Sequence, residues 1–330
     1  MEFRIVERPA GAFQEPVRAE HVVEMCRRAF GAATEVVSAI ELDGGRYNTT
    51  YRVRISGRAP VILRVAPEPG RQYSSEKSLM RNEYASAPFF TPIAAMMPRI
   101  LFADWTHEIV ARDYLVQTLL GGVSARDGLG RYPRAEWAPF YRQLGAVTAK
   151  VHRVRGERFG PVAGPVFRTW HEAVLSRLAS TAADVRDAGL DAGDLTEAVE
   201  IAGRHREVFD EISEPRLLHG DLWTTNVLLA PDAPEPTITG VLDHDRSSWG
   251  DPAADWGSHV AGQKPEWARE AFWTGYGRRP VPGPAAALRG LIYRALHLGA
   301  IRLERHRLGR HAGISATYQD LRAVLDQLTG

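Results

Sequence analysis

The stretch LLHGDLWTTNVLL, residues 217–229, sets His219, Asp221 and Asn226 inside an otherwise apolar run. Aspartate is rarely buried without a partner. Either these polar groups satisfy one another in a turn, or they form a site. A second acid, Asp243, ends the β-prone run ITGVLDH, and the Pro-rich turn PDAPEPT separates that run from the β-prone residues after Asn226. A hairpin there brings Asn226 and Asp243 side by side, with Asp221 just before it. Two oxygen ligands and a free carboxylate at one spot suit Mg²⁺, a hard cation that takes few protein ligands and leaves the rest to phosphate and water. The free carboxylate can take the proton of an attacking hydroxyl.

The elements that must position this group are of two kinds. Between residues 36 and 66 three β-rich runs, Val36–Leu42, Thr50–Ile55 and Pro60–Val65, are separated by the turn sequences DGGRYN and SGRA, which predicts an antiparallel meander. A polar helix is expected in SSEKSLMRNEYASAPFF, with Ser74 or Ser75 as N-cap. MPRILFADW and ARDYLVQTLLGG read as two further strands. Beyond them the chain turns helical. RAEWAPFYRQLGAVTAKVHRV carries helical apolar spacing, two or three helices fit residues 166–210, and helices are expected to fill 252–330. The fold class is therefore α+β: a small β-rich N-terminal lobe over residues 1–118 and a mostly helical C-terminal lobe over 119–330.

Composition narrows the function classes. With 330 residues, 44% hydrophobic and 25% charged, the chain is an ordinary globular one with length enough for two cores. A net charge of +1, spread rather than blocked, gives no field that would draw nucleic acid. The single cysteine, Cys26, forbids an internal disulfide and is compatible with a reducing cytoplasm. It lies in the apparent helix AEHVVEMCRRAFG as a small packed hydrophobe. No apolar stretch nears the roughly 18 residues of a membrane span. The N-terminus MEFRIVERPAG has no signal-peptide pattern. A cytoplasmic protein without membrane or nucleic-acid partners is expected, as a monomer or homodimer. A zinc hydrolase would need more histidine than His219 and His244 offer here, and H-E-x-x-H is absent.

HGDLWTTN followed by VLDHDRSSWGDPAADW resembles the H-G-D-x-x-x-x-N and I/L-D-x-D motifs of the aminoglycoside phosphotransferase and choline kinase superfamily. The resemblance covers most of the chain. GGRYNTTYRV and VILRVAP are similar to the family's nucleotide loop and third strand, YLVQTLLGG to its hinge, and LGAVTAKVHRV to the helix before its substrate region. It implies a protein-kinase-like fold and a small-molecule kinase using ATP, or GTP, with Mg²⁺. By the resemblance Asp221 is the catalytic base and Asn226 and Asp243 hold Mg²⁺. Asp255 would hydrogen-bond the catalytic loop from below, and His219 would orient that loop. Asp245 could contact metal or substrate, or pair with Arg246. Trp223 is core or borders the acceptor pocket. Gly44, Gly45 and Asn48 would belong to the loop over the phosphates, and the backbone around Gln117–Leu119 would hold the adenine, with Gln117 and Leu119 themselves in the site.

One departure stands out. Many kinases hold the ATP phosphates with a lysine on the third strand, yet no lysine occurs between residues 1 and 76 and Arg64 occupies that place. Arginine keeps the charge and can fork to two oxygens, but it is wider. Strand alternation puts Arg64 on the face opposite Leu63 and Val65, so toward the nucleotide if those are core; a solvated arginine is the alternative. Its expected partner is Glu83, with Glu76 as the second choice.

GDPAADW follows Asp243 too closely for an activation segment able to bind peptide, which favours a small-molecule hydroxyl acceptor. The acid-rich AADVRDAGLDAGDLTEAVE could greet a cationic antibiotic but reads more simply as a solvated surface. Arg302, Arg305 and His306 fall at helical spacing and would repel a polycation unless they face solvent. The expected acceptor is an antibiotic of aminoglycoside, macrolide, nucleoside or peptide type, or a related natural product. A metabolic or biosynthetic kinase for an amino alcohol, sugar or nucleoside is the alternative. A nucleotide-binding pseudokinase is the rival from another class, disfavoured because Asp221, Asn226 and Asp243 are all present.

Overall fold

The run TTYRVRI alternates as a strand with one covered face must: Tyr51, Val53 and Ile55 are buried while Arg52 and Arg54 are exposed. It belongs to the first of two units into which the computed structural model divides. The structure describes residues 1–9, 11–256 and 264–329. The first unit takes Met1–Met80 and Met97–Leu120; the second takes Arg81–Met96 and Gly121–Gly330. The division is thus not a single break in the chain, because the segment 81–96 belongs with the later residues.

In chain order the first stretch is β1 (Glu2–Arg4), α1 (Ala19–Phe30), β2 (Val36–Glu41), β3 (Thr49–Ile55), β4 (Val61–Val65), α2 (Leu79–Ser86), β5 (Ile100–Asp104) and β6 (Tyr114–Thr118). The six strands form one sheet in the order β1-β2-β3-β4-β6-β5. Every pairing is antiparallel except β1 with β2, which is parallel. Sequence reading missed β1 because a three-residue run carries no period. Val22, Met25 and Cys26 of α1 pack with Tyr51, Val53, Leu63, Val65 and Val116 into a core on one face of the sheet. The helix predicted from Ser74 begins instead at Leu79, with only a single tight turn over Ser74–Glu76. SSEKS has nothing apolar to bury, whereas Leu79 and Met80 are both buried.

The second unit continues with β7 (Val123–Ser124), α3 (Ala125–Gly128), α4 (Ala138–His152), β8 (Gly160–Pro161), α5 (Trp170–Asp187), α6 (Gly193–Arg204), α7 (Arg206–Asp210), β9 (Arg216–Leu218), β10 (Val227–Leu229), β11 (Ile238–Val241), β12 (Ser248–Gly250), α8 (Ala253–Trp256), α9 (Glu266–Tyr276), α10 (Pro284–Arg307) and α11 (His311–Thr329). The helical expectation over 252–330 is met in α8 to α11; its residues 257–263 lie outside the described ones. Two small sheets, β11-β10-β7 and β8-β12-β9, frame the chemistry-bearing loops. Thr169 caps α5 and Glu172 returns the bond to the Thr169 backbone, a complete capping box. Helices α4 and α9 cross at glycines: a side chain at Gly145 would enter the backbone of Phe272, and one at Gly275 that of Arg142.

The acid-rich segment is in part the solvated surface expected, with Asp187, Asp191 and Glu200 exposed, while the basic segment does not face solvent throughout. Arg302 is fully buried. Its guanidinium donates to Asp194 Oδ1 at 2.9 Å and Oδ2 at 2.6 Å, and it stacks 3.6 Å from the centre of the Tyr318 ring. Asp184 is buried as well, and Glu197 pairs with Arg322 at 3.0 Å. Asp194 and Glu197 thus meet partners within the helical part of the unit, and Arg302 offers no free charge to a cationic acceptor.

Candidate active site

Strand β9 ends at Leu218, and the chain then turns through His219 and Gly220 to Asp221. Gly220 has φ +83, and a side chain there would strike the Arg246 backbone, so glycine is required on two counts. The turn is held from below. Asp255 accepts the backbone N–H of His219 at 2.8 Å and of Gly220 at 2.7 Å. Its Oδ2 also lies 3.0 Å from His152 Nε2, whose Nδ1 is 3.0 Å from the Tyr276 hydroxyl. A carboxylate only accepts, so Nε2 donates to it. Burial acts to raise the Asp255 pKa, but the His152 contact and the His219 N–H prevail and hold it at about 2.

His219 has no solvent exposure, and burial keeps its pKa below the usual imidazole value. It stays neutral, and its Nδ1 accepts the Asp221 N–H at 3.3 Å. Asn226, nearly buried, donates from one amide nitrogen to the Asp221 carbonyl at 2.9 Å and to its Oδ2 at 2.8 Å. The Asn226 Oδ1 is thereby the atom available to a cation. The anticipated hairpin is present: Val227 pairs with Val241, and Leu242 N donates to Asn226 O at 2.8 Å. Asp243 follows in a left-handed conformation, φ 57, which aspartate tolerates better than most residues.

Carboxylate oxygens of Asp243, Asp245 and Glu83 all lie within 4.8 Å of one another. Like charges that close repel by several kcal/mol unless something neutralises them. An all-oxygen set beside the Asn226 amide suits a hard divalent cation. Asp245, left open by the sequence, thus sits with the acids. Glu83, expected beside Arg64, belongs to the second unit, where His244 Nδ1 is 3.9 Å from its Oε1. Asn82, which sequence reading overlooked, anchors this group. Its amide donates to Asp245 O and Ser247 O, both at 2.8 Å, and accepts Ala163 N at 2.7 Å.

Asp221 is partly exposed in a crowded recess. Burial first, then Asp245 and Asp243, push its pKa up to about 7, against the pull of Arg246 and the Asn226 bond. Trp223, read as core or as a border of the acceptor pocket, is half-buried.

The first unit holds the remaining expected residues. Arg64 is buried, 5% exposed, which removes the solvated alternative. The register places Thr50 and Leu115 opposite Arg64, and Gln117 opposite Ile62, so Arg64 and Gln117 share a face. Glu76, the second choice of partner, is buried in this unit. Gly44 has φ +93 with open space around it, a conformation that favours glycine. Gly45 faces Asn48 O at 3.7 Å. Among the described residues, Asn48 Oδ1 and Gln117 Oε1 are buried acceptors with no hydrogen bond. Leu119 is exposed.

The second unit carries a hairpin beside a pinned aspartate and the first a mixed six-stranded sheet, both parts of a kinase-like phosphotransferase. The chain belongs to the phosphotransferase enzyme family, whose profile matches residues 38–288, and it is a small-molecule kinase of that family. No curated protein sequence matches it. Among solved structures, the GDP complex of a mutant aminoglycoside 2′-phosphotransferase-IIIa superposes with a TM-score of 0.63 at 17% identity, over 95% of this chain and 99% of that one. A thermostable mutant of aminoglycoside phosphotransferase APH(4)-Ia, in ternary complex with ADP and hygromycin B, gives 0.64 at 18% identity over 93% and 98%. A Haemophilus somnus protein named as a fructosamine-3-kinase gives 0.65 at 17% identity over 94% and 97%. The shared fold is the kinase-like α+β one expected. Among the described residues no helix is long and apolar enough to cross a membrane.

Proposed function

We propose that this protein is an ATP- and Mg²⁺-dependent O-phosphotransferase acting on a hydroxyl of a small molecule. Asp221 is the base, and Asn226 and Asp243, with Asp245 beside them, are the metal ligands. The observation that carries this reading is the Asn226 amide. Its nitrogen pins the Asp221 carboxylate at 2.8 Å while the hairpin sets Asp243 next to it. In the transfer, the acceptor oxygen bonds to the γ-phosphorus, the bond to the β,γ-bridging oxygen breaks, and the hydroxyl proton passes to Asp221. In the free protein burial raises that carboxyl, which suits a side chain that takes up a proton. Bound Mg²⁺ would neutralise charge on the nucleotide phosphates.

Arg64 and the backbone at Gly44 and Gly45 would take the phosphates, with Asn48 close by. The backbone around Gln117–Leu119 would take the base; the buried acceptor of Gln117 supports a ligand on that face. Between Asp243 and Asp251 the chain forms β12, paired to β8 and β9, which leaves no loop for a peptide substrate. The acceptor is a hydroxylated natural product or metabolite, and relatives that bind hygromycin B, or that are named for fructosamine, support that breadth. A role in antibiotic resistance and a cytoplasmic location complete the proposal.

The test is a coupled nucleotide-consumption assay with Mg²⁺ and ATP or GTP against hydroxylated antibiotics, nucleosides, sugars and amino alcohols, beside Asp221→Asn. A product heavier by one phosphate, absent with the variant while nucleotide still binds, supports the assignment. Retained turnover by Asp221→Asn sinks it.

A further inference from the structure

The first unit holds a cleft on the face of its sheet away from Arg64. Thr50 lies opposite Arg64, and Tyr51, the next residue, leaves the other face, where α1 packs. There the residues before α1, its first turn and the segment 109–112 border a cleft of about 500 Å³, the size of a small-ligand site. Its walls are fixed. The Glu15 carbonyl accepts from Thr49 Oγ1 and from Arg112 Nη1, both at 3.1 Å, and the Tyr51 hydroxyl accepts Val17 N at 3.0 Å. Pro16, Val17, Ile109 and Val110 supply its apolar lining.

Several donors face this cleft without acceptors. Arg112 is 9% exposed. Among the described residues its guanidinium makes one hydrogen bond, to the Glu15 carbonyl, and no ion pair. Its other nitrogens are not among the fully enclosed unpaired atoms, so they reach the open space that the residue lines. Burial holds its pKa below the usual guanidinium value, against the pull of Glu68, Tyr51 and Glu15. Of the two acids on the cleft, Glu15 pairs with Arg71 at 2.6 Å and Glu68 is exposed. The N-cap of α1 is Arg18, which has no acceptor to give, and no side chain caps the helix. Ala19, Glu20 and His21 thus leave their backbone N–H groups open at the positive end of the helix dipole. Glu20, the acid of that turn, does not line the cleft. Arg18 donates to His21 Nε2 at 2.8 Å and has no carboxylate partner among the described residues. Two arginines and an uncapped helix start on one cleft repel one another until an anion joins them.

We infer that this cleft is a second ligand site, which takes a small molecule with an oxyanion end, a phosphate or a carboxylate, held by Arg112, Arg18 and the first turn of α1, with its apolar part against Ile109 and Val110. Glu68, on the same border, disfavours a polyanion. The site lies on the sheet face opposite Arg64 and does not depend on the phosphotransfer reading. No bond is made or broken there.

The experiment titrates the full chain by calorimetry with phenyl phosphate and, separately, benzoate, with phenol and benzamide as uncharged controls. Wild type should bind at least one of the two anions saturably and neither control. Arg112→Met should weaken that binding about tenfold or more. Arg18→Glu, at an exposed position, leaves the core untouched and should weaken it as much, so a misfolded Arg112→Met does not remove the test. Binding of phenyl phosphate alone, or of benzoate alone, identifies which oxyanion the cleft takes. Saturating AMP-PNP with Mg²⁺ should leave the affinity unchanged. No saturable anion binding by wild type, controls that bind as tightly as the anions, or undiminished binding by either folded variant overturns the inference. So does displacement by AMP-PNP, which would put the anion at the nucleotide's place instead.

Discussion

His152 Nε2 donates to Asp255 Oδ2 across 3.0 Å, and that one carboxylate also receives the backbone N–H groups of His219 and Gly220. A side chain on α4 thereby fixes a turn that begins at the end of β9. The acid is the hub: its charge is held by an imidazole on one side and by two peptide dipoles on the other.

The hub makes stability depend on pH. A carboxyl held at about 2 in the folded chain, below its ordinary 3.8, stabilises the fold above the unfolded value. That contribution, about 2 kcal/mol, disappears as pH falls from 4 to 2. Urea midpoints between pH 5 and 2 should fall more steeply for wild type than for Asp255→Asn. Parallel curves would show that the carboxylate is not held as described.

Asp221 has the opposite sign. Its carboxyl is raised to about 7, so ionisation costs the folded state above pH 4. Without nucleotide or metal, Asp221→Asn should be more stable than wild type by on the order of 1–2 kcal/mol at pH 8. The gain should shrink toward pH 5. A variant less stable than wild type at pH 8 would contradict this.

Asn82 satisfies two carbonyls and one amide from three chain positions. Asn82→Leu leaves all three groups buried without it and should cost about 2–4 kcal/mol in chemical denaturation. Asn82→Asp should cost more, because a carboxylate would face two carbonyl oxygens beside Glu83. A loss below about 1 kcal/mol for both would show that the anchor is dispensable.

Arg302 and Asp194 form a forked pair with the arginine fully buried. Arg302→Ala should destabilise by about 3–5 kcal/mol, since it strands Asp194. Arg302→Lys should recover little, because an ammonium cannot reproduce the fork or the stack on Tyr318. Removing both partners, Arg302→Met with Asp194→Leu, should cost less than either single loss. Additive losses would deny the pairing.

What sequence made legible was local. Asn226 and Asp243 come together through one hairpin whose strands and turn are read within a short window, and the Tyr51–Val53–Ile55 alternation is a period that any window shows. What stayed hidden was pairing at a distance. Nothing near Asn82 announces that its amide will bind the chain around Asp245, and Arg302 looks like a surface cation until Asp194, 108 residues away, is folded against it. His152 was visible merely as the polar end of an apolar helix.

The glycine crossing of α4 and α9 works as a gauge block. Because nothing but hydrogen stands between the backbones at Gly145 and Gly275, the helices touch, and that contact sets how far His152 at the end of one lies from Tyr276 at the end of the other. One added methyl group at the crossing would widen that gap, slacken the grip on Asp255 and let the turn before Asp221 wander. The accuracy of the chemistry is thus machined into a spacing that no reacting atom ever meets.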